Sequence, residues 1–331
     1  VPKTNTPSIV FMGTPPFASG ILQALVAMKY PIIGVVTAPD RRSGRGLTAQ
    51  ASAVKTTALE HNLPVLQPES LKDPLFLQTL SQWNAALFVV VAFRMLPKEV
   101  WQIPPMGCFN LHASLLPMYR GAAPINHALM EGETETGLTT FFIDDQIDTG
   151  DILLQERLLI EESDTAGTLH DKMMKAAGPL IAKTIDGLSN KTLRAVPQRI
   201  PSDTPLKTAP KITRETCRIN WNRHPVDIVN HIRGLSPVPG AFTVWNKQKD
   251  NKNAATTELF IKIYRAQAEE TTCTDTPGTV LIQNKNTLKV ACQSGYVHIL
   301  ELQFPGKKKM AVDAFLAGFR EEGLIKFESS L

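Results

Sequence analysis

Short apolar runs separated by longer mixed segments fill the first 110 residues. SIVFMG at Ser8–Gly13 reads as a buried strand, and IIGVVT at Ile32–Thr37 as a second. A short third strand lies in LPVLQP, a fourth in ALFVVVAF (Ala86–Phe93) and a fifth in GCFNLH (Gly107–His112). Between them PFASGILQALVAM, AVKTTALEHN and DPLFLQTLSQW carry helical spacing, the first begun by Pro16. Continuous Val, Ile and Leu runs joined by helices predict a parallel sheet covered on both faces. The expected fold class is α/β, a Rossmann-like doubly wound, mainly parallel sheet. Its ligands should sit beyond the carboxyl ends of the strands.

From Thr136 the pattern changes. TGLTTFFID and GDILLQERLLI read as two strands joined by an acidic turn, a hairpin-like extension of the sheet. A long helix follows, with Thr165 as its N-cap and apolar periodicity from Asp171 to Leu188. Val196–Lys211 carries Pro197, Pro201, Pro205 and Pro210 with almost no apolar periodicity, which marks an extended linker. Beyond it AFTVW, ELFIKIYRAQ, GTVLIQ, LKVACQ and YVHILELQ are short strands with turn signals between them. They predict an all-β module, a small barrel of the OB-like kind, and a terminal helical segment follows in AVDAFLAGF. The expected division is a domain at 1–195, a linker at 196–210 and a β-barrel domain at 211–331.

Composition narrows the class. At 331 residues and 43% apolar, the chain can build more than one core. No run of about eighteen apolar residues occurs, which argues against a spanning helix. VPKTNTPSIVFMG lacks the features of a signal peptide. Cys108, Cys217, Cys273 and Cys292 are scattered without a C-x-x-C spacing, so no zinc site or disulfide framework is expected. A reducing, cytoplasmic setting fits. Charge is divided unevenly: residues 1–189 hold 14 Lys and Arg against 18 Asp and Glu, and residues 190–331 hold 21 against 13. A basic second half fits a polyanionic partner such as nucleic acid, or simply a solvated surface.

Candidate chemistry concentrates in two stretches. In FNLHASLLPMYRG, Asn110 and His112 stand two apart at a strand end, so both side chains share one face. An amide can donate to a developing oxyanion, and an imidazole can carry a proton near neutral pH. A hydrogen-bonded structural histidine is the competing reading. In FIDDQIDTGDI, Asp144, Asp145, Asp148 and Asp151 crowd together without the alternation of a calcium loop. Asp148 opens an Asp-Thr-Gly turn and is the carboxylate best placed to orient His112; a hydrated acidic turn is the alternative. Ser114 lacks a G-x-S-x-G elbow, and no P-loop or G-x-G-x-x-G follows the first strand. The loop PDRRSGRG offers Arg41, Arg42 and Arg45 with two glycines, a combination able to grip phosphates or to stand exposed with no partner.

Taken together, FNLHASLLPMYRGAAP, IDTGDIL, VFMGTPPF, TAPDRRSGRGLT, APKIT…RINW and LELQFPGKKKM run in order along the whole chain. In that order they resemble the folate-dependent formyltransferases, and the arginine loop and terminal β-region narrow the resemblance to the methionyl-tRNA formyltransferase family. The resemblance implies formyl transfer from 10-formyltetrahydrofolate to initiator methionyl-tRNA. It places the catalytic groups on Asn110, His112 and Asp148. Folate contacts fall on Ser114, Leu115, Leu116 and Pro117, on Phe93, Arg94, Met95 and Leu96, and on Ile143, Asp144, Asp145 and Gln146. For tRNA it implies Arg41, Arg42, Arg45, Lys207 and Lys211. No metal, membrane or obligate protein partner is implied, and a monomer is expected. Two departures stand out: Pro16 replaces a common acidic residue, and AFRMLP is one residue shorter than AYGxILP, with Arg94 inside it.

A sugar-nucleotide N-formyltransferase shares the folate machinery but has little use for the arginine loop and the basic second half. A glycinamide ribonucleotide enzyme is expected to end near the linker, and the folate-linked dehydrogenases to run much longer. A catalytically silent RNA-binding protein on the same scaffold would have no need of Asn110, His112 and Asp148 together.

Overall fold

The computed structural model describes residues 6–43, 48–200, 205–247, 257–284, 286–319 and 325–328, with only the backbone of residues 42–43, 48–49, 247 and 257. It separates into two compact units. The first comprises Val1–Pro124, Glu135–Leu159 and His170–Thr208; the second comprises Ile125–Thr134, Ile160–Leu169 and Ala209–Leu331.

The first unit is built on a seven-stranded sheet. Its order is Ile152–Leu159, Glu135–Phe142, Cys108–His112, Leu87–Val91, Ile9–Gly13, Ile32–Val36 and Val65–Leu66. The last five of these run parallel, as the continuous apolar runs predict. Ile9–Gly13 and Leu87–Val91 are buried along their whole length, which requires cover on both faces. The two strands at the other edge are antiparallel and extend the sheet as a hairpin. From Ile9–Gly13 the chain first builds outward through Ile32–Val36 and then returns to Leu87–Val91 on the other side. That reversal opens a crevice at the carboxyl ends of the central strands. At its base a Cβ on Gly13 would crowd the Ala18 methyl at 2.6 Å and the Val91 carbonyl at 2.8 Å, so only glycine fits.

Helices cover the sheet. Pro16–Ala27 has proline in its first turn and buries Phe17, Ile21, Leu22 and Leu25. Ser52 caps Ala53–Glu60 through the Lys55 amide, and Asp73 caps Pro74–Gln82 through the Phe76 amide. Thr165 accepts from the Thr168 amide at 3.3 Å and so caps Ala166–Ser189, as the sequence predicts. The arginine loop differs from expectation: Arg41–Ser43 pairs antiparallel with Thr48–Gln50 as a small hairpin. Its pairing rests on backbone bonds and needs no apolar alternation, which is why the sequence reads as loop.

In the second unit six antiparallel strands close a barrel. Thr257–Glu270 pairs with Ala241–Lys247 on one side and with Gly295–Gln303 on the other. Ile325–Glu328, Thr279–Gln283 and Thr287–Cys292 complete the circuit. Trp221 is fully buried in this unit's core, with its indole N–H donated to Thr243 Oγ1 at 3.0 Å. The helix Pro225–Leu235 turns Ile228, Ile232 and Leu235 into the same core.

Candidate active site

The strand Cys108–His112 lies between Leu87–Val91 and Glu135–Phe142, with Asn110 opposite Val90 and Phe141 and His112 opposite Thr139. Phe109 and Leu111 are buried on one face of the strand, so Asn110 and His112 project together on the other. Asn110 is half-buried, and among the described residues no side-chain hydrogen bond restrains its amide. His112 is only 6% exposed.

Two groups grip the His112 ring. Nε2 lies 2.8 Å from the Tyr119 carbonyl oxygen. A carbonyl oxygen can only accept, so Nε2 carries a proton in this arrangement. Nδ1 lies 3.7 Å from Oδ2 of Asp148. That leaves Nδ1, facing the carboxylate, as the nitrogen that can gain or lose a proton. Asp148 adopts the left-handed backbone region at φ 55°, and its Oδ2 also accepts from the Gly121 amide at 2.9 Å. The Asp-Thr-Gly turn therefore aims the carboxylate back at the strand end. Gly150 completes it, because a Cβ there would fall on the Phe142 carbonyl.

Of the loops predicted to hold folate, 93–96 and 114–117 follow the carboxyl ends of Leu87–Val91 and Cys108–His112, whereas 143–146 leaves Glu135–Phe142 beside the start of Cys108–His112, where the Ile143 amide donates to the Cys108 carbonyl. Ser114 is fully buried and donates its hydroxyl to the Met118 carbonyl at 2.6 Å, so its side chain holds the loop together. Leu116 is buried as well, with its amide on Thr139 Oγ1 and its carbonyl receiving Gln155 Nε2. Leu115 and Pro117 are half-buried. Phe93 and Ile143 pack against one apolar cluster that includes Val10, Met12, Phe88 and Leu96. Met95 is 66% exposed. Arg94 turns aside to donate to the backbone carbonyls of Pro68 and Glu69, which ties the shortened loop to its neighbour. Its burial there depresses the guanidinium pKa. Asp144 accepts from the Gln146 amide and from Thr149 Oγ1, a local brace for the acidic turn, while Asp145 and Gln146 are exposed.

Of the residues predicted for tRNA, Arg41 is exposed on its hairpin, whose base is anchored where Asp40 meets Lys55 at 2.6 Å and Gln67 at 2.8 Å. Arg45 and the side chain of Arg42 lie outside the described residues. Lys207 and Lys211 are exposed; Lys207 Nζ lies 6.0 Å from the Tyr119 ring centroid.

The chain is similar to known proteins. The formyl transferase family model matches residues 7–185, and the formyl transferase C-terminal domain model matches 211–320. A methionyl-tRNA formyltransferase of Bacteroides fragilis is 46% identical over 312 residues, 94% of each chain. The chain belongs to the methionyl-tRNA formyltransferase family. A second methionyl-tRNA formyltransferase, from Flavobacterium psychrophilum, is 48% identical over 94% of this chain and 95% of its own. Among solved structures, an N-formyltransferase from Helicobacter canadensis in complex with folinic acid and dTDP-3-aminofucose aligns at TM-score 0.60. It shares 19% identity and covers 91% of this chain and 99% of its own, so it supports the fold alone.

The structure of this formyltransferase also brings forward residues that sequence reasoning did not single out. Tyr119 supplies the carbonyl on Nε2, and Gly121 supplies the amide on Asp148. Both act through backbone atoms, which side-chain chemistry does not advertise. Arg120 and Gln198 bond to each other beside Asp148. Gln198 lies in a proline-rich stretch that offers no pattern to read. Among the described residues no group of three His, Cys, Asp or Glu could hold a metal ion, and no helix is long and apolar enough to cross a membrane.

Proposed function

We propose that this enzyme transfers the formyl group of 10-formyltetrahydrofolate to the α-amine of methionine esterified to initiator tRNA. In this reading residues 1–195 hold the donor and carry out the reaction. Residues 211–331, with the Arg41–Arg45 loop and Lys207 and Lys211, hold the tRNA. The observation that carries it is the His112–Asp148 approach at 3.7 Å, with Asn110 on the same strand face.

The chemistry asks for these three groups. The amine lone pair attacks the formyl carbon and makes a C–N bond, while the carbonyl electrons move to oxygen. Collapse of the tetrahedral adduct breaks the bond to the folate nitrogen. The amine gives up a proton and the departing nitrogen takes one, so the step is balanced without a metal or a covalent bond to the enzyme. The Asn110 amide donates to the oxyanion, a contribution of about 2.7–4 kcal/mol at comparable sites. Protonated His112 adds positive charge there. Asp148 orients the imidazole and helps to take the amine proton.

The donor meets half-buried apolar side chains at Phe93, Leu115, Pro117 and Ile143. Such surfaces suit the flat face of a pterin. In this reading the 92–96 and 143–146 loops wall the pterin.

The test is formyl transfer to charged initiator tRNA, run beside an amino-sugar nucleotide. Transfer to the tRNA is expected. Transfer to the sugar alone would replace this reading with that of a sugar-nucleotide enzyme.

A further inference from the structure

The stretch that follows the first unit's last helix is bonded to the site. Val196 exchanges both backbone hydrogen bonds with Ile152, at 2.8 and 2.9 Å, and so adds a short antiparallel bridge beside the edge strand Ile152–Leu159. Two residues on, the Gln198 carboxamide uses all of its bonding capacity. Nε2 donates to the Asp148 carbonyl and to the Gly150 carbonyl, each at 2.9 Å. Oε1 accepts from Arg120, at 3.2 Å from Nε and more closely from Nη2. Arg120 precedes Gly121, whose amide holds the Asp148 carboxylate. The bonds therefore form a closed circuit: Gln198 to the Asp148 backbone, the Asp148 side chain to Gly121, and Arg120 back to Gln198.

The same stretch also holds the other side of the imidazole. The Lys207 carbonyl accepts the Tyr119 amide at 2.7 Å, and the Tyr119 carbonyl receives His112 Nε2–H. Tyr119 sits at φ 60° and Asp148 at φ 55°, backbone regions that side chains disfavour and that neighbouring bonds must hold. Both grips on His112 are thus fixed from beyond the first unit's last helix, one through Gln198 and one through Lys207.

We infer that Gln198 is a positioning residue for formyl transfer: its two N–H donations set the Asp148 turn, and with it the approach of Asp148 to His112. The inference rests on the roles given above to His112 and Asp148. A glutamine is specifically required. Glutamate keeps the acceptor for Arg120 but places a carboxylate against two carbonyls, whereas methionine keeps the length and removes every polar contact. An arrangement in which Gln198 merely tethers Arg120 tolerates the glutamate. One in which it positions Asp148 does not.

The experiment compares wild type, Q198E, Q198M and R120M in steady-state formyl transfer to charged initiator tRNA, with thermal melting of each. Misplacement of a reacting group by about 1 Å can cost on the order of 100-fold in rate. Q198E and Q198M are expected to lose kcat by roughly 10- to 100-fold, with KM for tRNA held within about threefold. R120M should move in the same direction by less, and it reads the same circuit if Q198M does not fold. A Q198E kcat within about threefold of wild type, or a loss carried in KM, overturns the inference. Nitrogen-15 spectra of the His112 ring provide a readout that does not depend on the acceptor. The ring resonances are expected to shift in Q198E, and identical spectra contradict the positioning role even if the wild-type enzyme proves to formylate something else.

Discussion

Nδ1 of His112 stands 3.7 Å from Oδ2 of Asp148, while the opposite ring nitrogen is held at 2.8 Å by the Tyr119 carbonyl. One nitrogen is committed to the backbone, so the exchangeable proton belongs to the side that faces the carboxylate. In the proposed reaction His112 works with Asp148 on protons, and Asn110 donates to the oxyanion.

Removal of the Asn110 amide should affect the chemical step alone. Asn110→Ala is expected to lower kcat by about 100- to 1,000-fold, the cost of one oxyanion donor. Because Asn110 is half-buried on the sheet and distant in role from the basic surface, tRNA affinity should stay within about twofold. Steady-state kinetics and filter binding on the same preparation check the split.

Asp148→Asn tests the charge without the shape. An amide oxygen can still accept from the Gly121 amide, so the turn keeps its bond and the melting temperature should move by only about 2 °C. The carboxylate facing Nδ1 is gone, and kcat should fall by roughly 100-fold or more. Activity close to wild type would reduce Asp148 to a loop brace.

The arginine hairpin makes an electrostatic prediction. Replacement of Arg41, Arg42 and Arg45 together should weaken tRNA binding and flatten the dependence of log K on log salt by about one unit for each phosphate no longer neutralised. Affinity titrations across a salt series measure the slope directly. An unchanged slope would mean that the loop does not touch phosphate.

Acid stability of the second unit should carry the signature of His231. Burial, and then the nearby Arg223 charge, push its pKa down to about 4. The unfolded ring titrates near 6.5, so its contribution is fully present above that pH and is lost as pH falls toward about 4. The loss is on the order of 3 kcal/mol. His231→Leu should flatten melting temperature against pH across that interval, and calorimetry reads it.

Much of this fold is legible because buried parallel strands announce themselves: IVFMG and LFVVV are apolar at nearly every position and buried at every one. Asn110 and His112 are legible for the opposite reason, as polar side chains sharing a face where the pattern asks for apolar ones. The closing strand Ile325–Glu328 is harder. It has only four residues, although Ile325 and Phe327 are buried and Lys326 is exposed in strand alternation. The helix Pro225–Leu235 carries readable signals too, a proline in its first turn and Ile228, Ile232 and Leu235 at helical spacing.

The bonds that organise the site are not readable in the same way. Tyr119 acts through its carbonyl and Gly121 through its amide, groups that every ordinary residue has. Gln198 meets Asp148 from 50 residues away in sequence, and Arg120 from 78. No local pattern encodes such distances. Proline-rich composition marks a stretch with little apolar periodicity, yet it does not show that Thr208–Ala209 forms a short strand or that Val196 bridges to Ile152.

In the proposed function Asn110, His112 and Asp148 together move a formyl group onto an amine carried by tRNA. Its most direct test is single-turnover transfer of labelled formyl from 10-formyltetrahydrofolate to charged initiator tRNA by the wild-type enzyme, Asn110→Ala and His112→Ala. Rapid transfer by the wild type is expected, with a loss of about 100-fold or more in each variant and tRNA still bound. Rates in both variants close to wild type would contradict it.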